Sequence, residues 1–134
     1  MKQPKICLLV DDDPDDQEVF LTALGDVSSS ILCLVAPDGD RALELLHNEE
    51  TIPDYIFLDL NMPRMNGFEF LAAMKKSRIL KDIPVIVYST TSQKAQIEKV
   101  KKLGATEFFT KTYKYEELIT ILKKYFGDEL NDHP

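Results

Sequence analysis

The residues best suited to chemistry in this 134-residue chain are acidic, and they follow two apolar runs. Asp59 comes directly after the run Tyr55–Leu58, whose lack of polar alternation predicts a strand buried on both faces. A charge at the edge of a core is costly unless it has partners, so Asp59 must have some. A second acidic group follows the run Ile6–Val10 and comprises Asp11, Asp12, Asp13, Asp15 and Asp16. Such concentrated acid favours a bound cation.

Further polar residues follow two later apolar runs. Ser89 and Thr90 follow residues 83–88, and Lys111 follows residues 106–110. If the runs are parallel strands, their carboxyl ends lie at one edge of the sheet, where ligands bind in open α/β folds. Two carboxylates about 4 Å apart repel by on the order of 4 kcal/mol at an effective dielectric near 20. Carboxylate oxygens with open positions suit Mg²⁺, and Mg²⁺, a lysine and a hydroxyl around one carboxylate form a phosphoryl cradle.

The elements that must position these residues alternate along the chain. Strands are predicted at residues 5–10, 31–36, 55–59, 83–88 and 106–110, each followed by a helical pattern, the last of which is Tyr115–Phe126. This alternation predicts an α/β domain with a parallel sheet between two helical layers. We expect a single domain over residues 1–134, with its core at about 5–126 and a polar tail at 127–134.

Helix ends can also be predicted from local chemistry. Asp13 precedes Pro14 and is expected to cap the first helix, while Gly25 and the serines at 28–30 are expected to end it. Asp38 or Asp40 is expected to cap the second helix, whose buried stripe is predicted as Ala42, Leu43, Leu45 and Leu46. The hydroxyl residues 89–92 are expected to cap the fourth helix.

Composition excludes several classes of function. The formal net charge of -7 argues against binding to nucleic acid or to an anionic membrane. No apolar run approaches the length of a membrane span, and the N-terminus does not resemble a signal peptide, so we expect a cytoplasmic protein. Cys7 and Cys33 lie inside apolar runs and are expected to be buried thiols rather than a disulfide.

Four sequence motifs make the chain resemble the receiver domain of bacterial response regulators, which has the CheY-like fold. The motifs are Leu-Leu-Val followed by Asp11, Asp12 and Asp13; the segment 58–63 with Gly67; Pro84-Val85-Ile86 leading to Ser89 and Thr90; and Gly104-Ala105 followed by Lys111. The resemblance spans residues 5 to about 126. It implies a doubly wound, five-stranded parallel sheet in the order 2-1-3-4-5, as in flavodoxin-like three-layer sandwiches.

The same resemblance implies a metal-dependent phosphorylation site. Asp59 would be the phosphoacceptor, forming a 4-aspartylphosphate, and Mg²⁺ would be the cofactor. Asp12 would bind Mg²⁺ directly, Asp11 would bind it mostly through water, and Asp59 with the backbone carbonyl of Asn61 would complete the protein ligands.

Resemblance also assigns roles to three residues at the fourth and fifth strands. Ser89 would donate a hydrogen bond to the phosphoryl group, Lys111 would form an ion pair with it, and Phe108 would be a rotating switch residue. By its own pattern, Phe108 is a core residue of a short strand, and strand alternation points Phe109 to the opposite face.

The function implied is that of a stand-alone receiver in a two-component phosphorelay. A sensor histidine kinase or a phosphotransfer protein would supply the phosphoryl group from a phosphohistidine. The protein would catalyse only its own phosphorylation and dephosphorylation, and would signal through its last two helices and fifth strand to a downstream protein. We expect a monomer or weak homodimer, and the last helix offers a candidate partner face formed by Tyr115, Leu118, Ile119 and Leu122.

One residue departs from the family pattern. Thr112 stands where the family usually has a proline after the lysine, often with a cis peptide bond. A cis bond before a residue other than proline costs roughly 3 kcal/mol, against under about 1 kcal/mol for proline. This cost disfavours a cis bond between Lys111 and Thr112.

Three alternatives remain open on the sequence alone. A phosphohydrolase would use an Asp-x-Asp nucleophile after the first strand, and Asp11 and Asp13 have that spacing. A flavin-binding module of this topology would need hydroxyls and glycines in that loop, where five aspartates would repel a phosphate. A degenerate receiver would act by binding alone. A calcium loop is excluded, because Asp16 and Thr22 stand where that motif needs glycine and glutamate.

Overall fold

In the computed structural model, which describes residues 5–48 and 52–127, five parallel strands form one sheet in the order β2-β1-β3-β4-β5. The elements are β1 (Ile6–Val10), α1 (Pro14–Val27), β2 (Leu32–Ala36), α2 (Gly39–His47), β3 (Tyr55–Leu58), α3 (Gly67–Lys75), β4 (Val85–Ser89), α4 (Lys94–Lys102), β5 (Glu107–Thr110) and α5 (Tyr115–Phe126). The predicted doubly wound α/β fold is therefore confirmed. The predicted polar tail lies outside the described residues, apart from Gly127.

Strand alternation divides the apolar residues between two faces of the sheet. Leu8 and Val10 of β1 belong to a core that α2, α3 and α4 cover, which we call the α2–α4 face. Cys7 and Leu9 belong to a core that α1 and α5 cover, the α1–α5 face. Both cysteines carry free thiols, as expected, although Cys33 is only partly buried.

Aromatic side chains dominate the α1–α5 face. The ring of Phe57 lies 5.1 Å from that of Phe20 and 5.8 Å from that of Tyr125, measured between centroids. Phe109 packs on this face and Phe108 on the α2–α4 face, as strand alternation predicts. Edge-to-face and tilted contacts of this kind add to the stabilisation from burial.

Some predicted helix ends are correct and others are wrong. The carboxylate of Asp13 caps α1 as predicted, but Gly25 lies inside the helix, which ends at Val27 with Ser28 as its C-cap. Asp38 caps α2 by accepting a hydrogen bond from the backbone of Arg41.

The residues 89–92 do not cap α4. Ser89 remains in β4, where it pairs with Thr110, and the N-cap of α4 is Gln93, which makes no side-chain cap hydrogen bond. The hydroxyl of Thr91 instead accepts a hydrogen bond from the backbone of Gln93 within the loop. Ser89 is thus held by strand pairing and Thr91 by a loop contact, so neither residue caps the helix as the local pattern predicts.

One predicted core position in α2 is also wrong. Leu45 is 37% exposed, whereas Ala42 and Leu46 are buried, because residues four apart share a helix face and Leu45 lies beside it. Leu43 is half-buried against the core. The face of α2 that is buried against the sheet is thus narrower than the sequence predicts.

Candidate functional site

Asp59 is the first residue after β3, at the carboxyl edge of the sheet. Its backbone N–H donates to the carbonyl oxygen of Val10 (2.9 Å), so it stays beside β1. The backbone N–H of Leu60 donates to Asp59 Oδ1 (2.8 Å), and Oδ2 lies 3.7 Å from Lys111 Nζ. Asp59 is 8% exposed. One carboxylate oxygen is therefore held by the backbone, while the other faces the lysine.

Gly67 lets the loop after β3 close against the backbone of Asp59. Its N–H donates to the carbonyl oxygen of Leu60 (3.0 Å). A Cβ atom at position 67 would lie 2.6 Å from the Asp59 carbonyl oxygen and 2.8 Å from the Leu60 Cα. A side chain here would therefore displace the backbone that carries Asp59.

Three carboxylates cluster at this edge. Asp11, Asp12 and Asp59 each offer an oxygen within 4.8 Å of the others. Asp11 is buried and Asp12 is exposed. Burial raises the pKa of Asp11 and the charge of Asp59 adds to that rise, while the hydrogen bond from Lys111 opposes it. The three acidic groups fit a hard divalent cation such as Mg²⁺, which prefers oxygen ligands and neutralises their mutual repulsion.

Lys111 places its ammonium beside three carboxylates, those of Asp11, Asp16 and Asp59. Its Nζ is 2.7 Å from Asp11 Oδ2 and 3.0 Å from Asp16 Oδ2, and its backbone N–H donates to the Ser89 carbonyl oxygen. Burial alone would lower the pKa of Lys111. The hydrogen bond and charge of Asp11, with the charge of Asp59, outweigh burial and raise this pKa, so the ammonium is charged at neutral pH.

Ser89 carries an unpartnered hydroxyl. The residue is fully buried, and within residues 5–48 and 52–127 its Oγ is the buried side-chain polar atom without a hydrogen-bond partner. Leaving such a group unsatisfied costs about 1–3 kcal/mol, so a ligand oxygen that accepts its hydrogen bond would recover that cost. The carboxyl end of β4 thus offers a free hydrogen-bond donor to a polar ligand.

The remaining predicted site residues lie nearby in less constrained settings. Asn61 is exposed, two residues beyond Asp59, and Thr90 is exposed after β4. Phe108 is half-buried in β5. The described chain contains no cis peptide bond, so Lys111–Thr112 is trans; Tyr113 has a positive φ of 63°.

Asp16 is the site residue that sequence reasoning missed. The sequence places it only within the acidic group after the first strand and predicts no partner for it, yet its carboxylate binds Lys111. An acidic residue in the first turn of a helix is typical of any capped helix. No local signal distinguishes such a residue from one that reaches a lysine 95 positions away.

Fold and site together define a receiver-type signalling domain, and comparison with known proteins shows the family. The model for the response regulator receiver domain matches residues 7–123. The chain therefore belongs to the response regulator receiver family of two-component signalling.

Relatives of this chain differ in length, and the chain spans half or less of two of the three described next. It is 36% identical to the rice two-component response regulator ORR5, over 78% of this chain and 75% of that protein. It is 33% identical to the sensor histidine kinase CheAY of Helicobacter pylori, over 89% of this chain and 15% of that protein. It also matches the probable C4-dicarboxylate response regulator DctR of Bacillus subtilis at 31% identity, over 88% of this chain and half of that protein.

Solved structures share the whole fold. The phosphorylated cyanobacterial phytochrome response regulator RcpA has a TM-score of 0.84 at 30% identity, covering 97% of this chain and 96% of that one. The Mn²⁺-bound form of the response regulator Rcp1 has a TM-score of 0.82 at 28% identity, covering 98% of each chain. Within the described residues, no helix is both long and apolar enough to cross a bilayer.

Proposed function

We propose that Asp59 accepts a phosphoryl group from a phosphohistidine of a partner histidine kinase or phosphotransfer protein. The observation that carries the proposal is the arrangement around Asp59 Oδ2. This oxygen lies 3.7 Å from the ammonium of Lys111, and the buried hydroxyl of Ser89 has no partner at the end of the adjacent strand. Family membership supports a role in phosphorelay signalling.

The transfer is a displacement at phosphorus. Asp59 Oδ2 attacks the phosphorus atom, the new P–O bond forms, and the P–N bond to the donor imidazole breaks with its electron pair left on nitrogen. The ammonium of Lys111 offsets the charge of the transferred oxygens, and Ser89 Oγ donates a hydrogen bond to one of them. Loss of the phosphoryl group to water is the only other reaction that we assign to this site.

Asp11, Asp12 and Asp59, with the backbone carbonyl of Asn61, would hold Mg²⁺. Bound there, the ion supplies positive charge that neutralises the phosphoryl oxygens. The spacing of the three carboxylates supports this assignment, as does the Mn²⁺-bound form of Rcp1. Lys111 alone provides one positive charge against these carboxylates and Asp16, so a divalent ion is needed before a phosphoryl dianion can approach.

We further propose that the signal leaves through α4, β5 and α5. Phosphorylation adds a charge of about -1.5 to -2 and new acceptor oxygens. Ser89 is the last residue of β4, which precedes α4, and Lys111 is the first residue after β5, which precedes α5. Phe108 packs in β5 itself. A downstream protein would read the change there. The partner face predicted on α5 is wrong in part: Tyr115 is exposed, but Leu118 and Leu122 are buried in the core and cannot contact a partner.

Phosphorylation by a small donor tests the proposal directly. The wild-type protein, incubated with phosphoramidate and Mg²⁺, is expected to gain one phosphoryl mass in an intact-mass measurement. Asp59→Asn should gain none. Asp54→Asn is the matched control, because this exposed aspartate precedes the same strand at the opposite edge of the sheet.

Two outcomes would contradict the proposal. Equal phosphate gain in Asp59→Asn and the wild type would show that another residue is modified. A wild-type protein that neither gains phosphate nor binds Mg²⁺ would instead be a degenerate receiver that acts by binding alone.

A further inference from the structure

Lys111 has a carboxylate partner that the phosphoacceptor site does not require. Asp16 Oδ2 lies 3.0 Å from Lys111 Nζ, within hydrogen-bond distance, whereas Asp59 Oδ2 lies at 3.7 Å, beyond it. The ammonium therefore already has two close acceptors, Asp11 and Asp16, before any phosphoryl group arrives. Asp16 is the one that does not belong to the cluster of Asp11, Asp12 and Asp59.

Asp16 is held firmly in place. It lies in the first turn of α1, and its backbone N–H donates to the capping carboxylate of Asp13 (3.3 Å). One turn later Phe20 is buried, which fixes the helix against the sheet. The Asp16 side chain is 18% exposed and that of Lys111 is 4% exposed. Solvent screens such an ion pair less than one on the surface.

The two close acceptors of Lys111, Asp11 and Asp16, differ in whether they border a cavity. Asp16 and Lys111 both line a cavity of about 250 Å³, with Tyr88, Tyr113 and Leu118 among its other walls. Asp11 and Asp59 do not line this cavity. Of the two close acceptors of Lys111, Asp16 is therefore the one that borders this cavity.

We propose that Asp16 is a positioning residue that restrains Lys111 in the unphosphorylated protein and so disfavours the phosphorylated state. This inference rests on the proposed function of Asp59. The ammonium has three N–H donors, and Asp11 and Asp16 already take two of them, so a phosphoryl group on Asp59 must share Lys111 with Asp16. Repulsion between the Asp16 carboxylate and the incoming dianion would also weaken binding, but that effect would not depend on Lys111.

Binding of beryllium fluoride, a stable phosphoryl mimic, tests this at saturating Mg²⁺. Asp16→Asn is expected to bind it about fivefold more tightly than the wild type, since one charge-assisted hydrogen bond no longer competes. Asp15→Asn is the matched control, with the same charge change in the same helical turn. Because Asp15 is exposed, this substitution should leave the affinity unchanged. Asp16→Glu keeps the charge and should return the affinity toward the wild-type value.

Lys111→Met separates positioning from simple repulsion. If Asp16 acts through Lys111, Asp16→Asn should have no effect in the Lys111→Met background. Persistence of the effect there, an equal effect of Asp15→Asn, or weaker binding by Asp16→Asn would each overturn the inference while leaving the proposed function intact. A wild-type protein that binds no beryllium fluoride would overturn both. Circular dichroism verifies that each variant is folded.

Discussion

The α1–α5 layer and helix α4 are anchored to the sheet very differently. α1 begins at a side-chain cap, Asp13, and α5 buries four residues in the aromatic core of that face. α4 begins without a side-chain cap, and among its residues Lys94–Lys102 it buries one, Val100. Because local opening costs least where few apolar contacts are lost, α4 is the element that a small change at the site can shift.

This difference matches the division of labour that we propose for the site. Asp11, Asp16 and Lys111 form one ion-paired group beside the well-anchored α1. Phe108 lies on the α2–α4 face. Side chains that stabilise charge during phosphoryl transfer must hold fixed positions. Side chains that change conformation after the transfer need a neighbouring element whose displacement costs little free energy.

Truncating buried apolar residues should give the largest contrast between the two regions. Leu122→Ala in α5 is expected to lower the free energy of unfolding by about 2–5 kcal/mol, because it leaves a cavity in a fully buried site. Ile97→Ala in α4, where the residue is half-buried, should cost about 1 kcal/mol. Urea unfolding measures both values. Equal losses would show that α4 is anchored as firmly as α5.

Removing the cap of α1 should have the next largest effect. Asp13→Ala is expected to cost about 1 kcal/mol of stability, since the backbone N–H groups of Asp15 and Asp16 lose their acceptor. Asp13→Asn retains an acceptor and should remain near the wild type. If thermal unfolding shows the same loss for both variants, the charge of Asp13 matters and its cap does not.

Giving α4 the cap that it lacks should narrow the contrast. Gln93 already has the extended backbone of an N-cap, so Gln93→Asn is expected to stabilise α4 by about 0.5–1 kcal/mol. Hydrogen exchange of the α4 amides should slow, while exchange in α1 stays unchanged. Gln93→Ala, which also lacks a cap, is the control. Slower exchange in that variant as well would rule out capping as the cause.

The smallest expected effect concerns a contact between α4 and α3. Lys99 Nζ lies 4.5 Å from the ring centroid of Phe68. Lys99→Met keeps the length of the side chain but removes the cation, and should cost about 0.5 kcal/mol. Lys102→Met removes the same charge from an exposed position of the same helix. A matching loss in chemical denaturation of both variants would assign the effect to net charge.

Much of the fold and the site could be predicted from local pattern. Apolar runs located all five strands to within two residues, because burial on both faces leaves a continuous signal. The acidic cluster and Lys111 were predicted to converge because parallel strands end at one edge, and the structure brings Asp11, Asp59 and Lys111 together. Gly67 was noted as part of a family motif, and the closeness of the Asp59 backbone gives the physical reason for a glycine there.

The amino-acid sequence by itself determined the strand and helix order, the cap of α1 and the acidic edge, since each depends on neighbours in the chain. Only the tertiary structure decided which carboxylates bind Lys111, that the hydroxyl of Ser89 stays in β4 without a partner, and that Leu45 faces solvent. These features depend on contacts between segments that meet only after the sheet has formed. Helical periodicity does not specify the width of a buried face, and a charged side chain gives no sign of its distant partner.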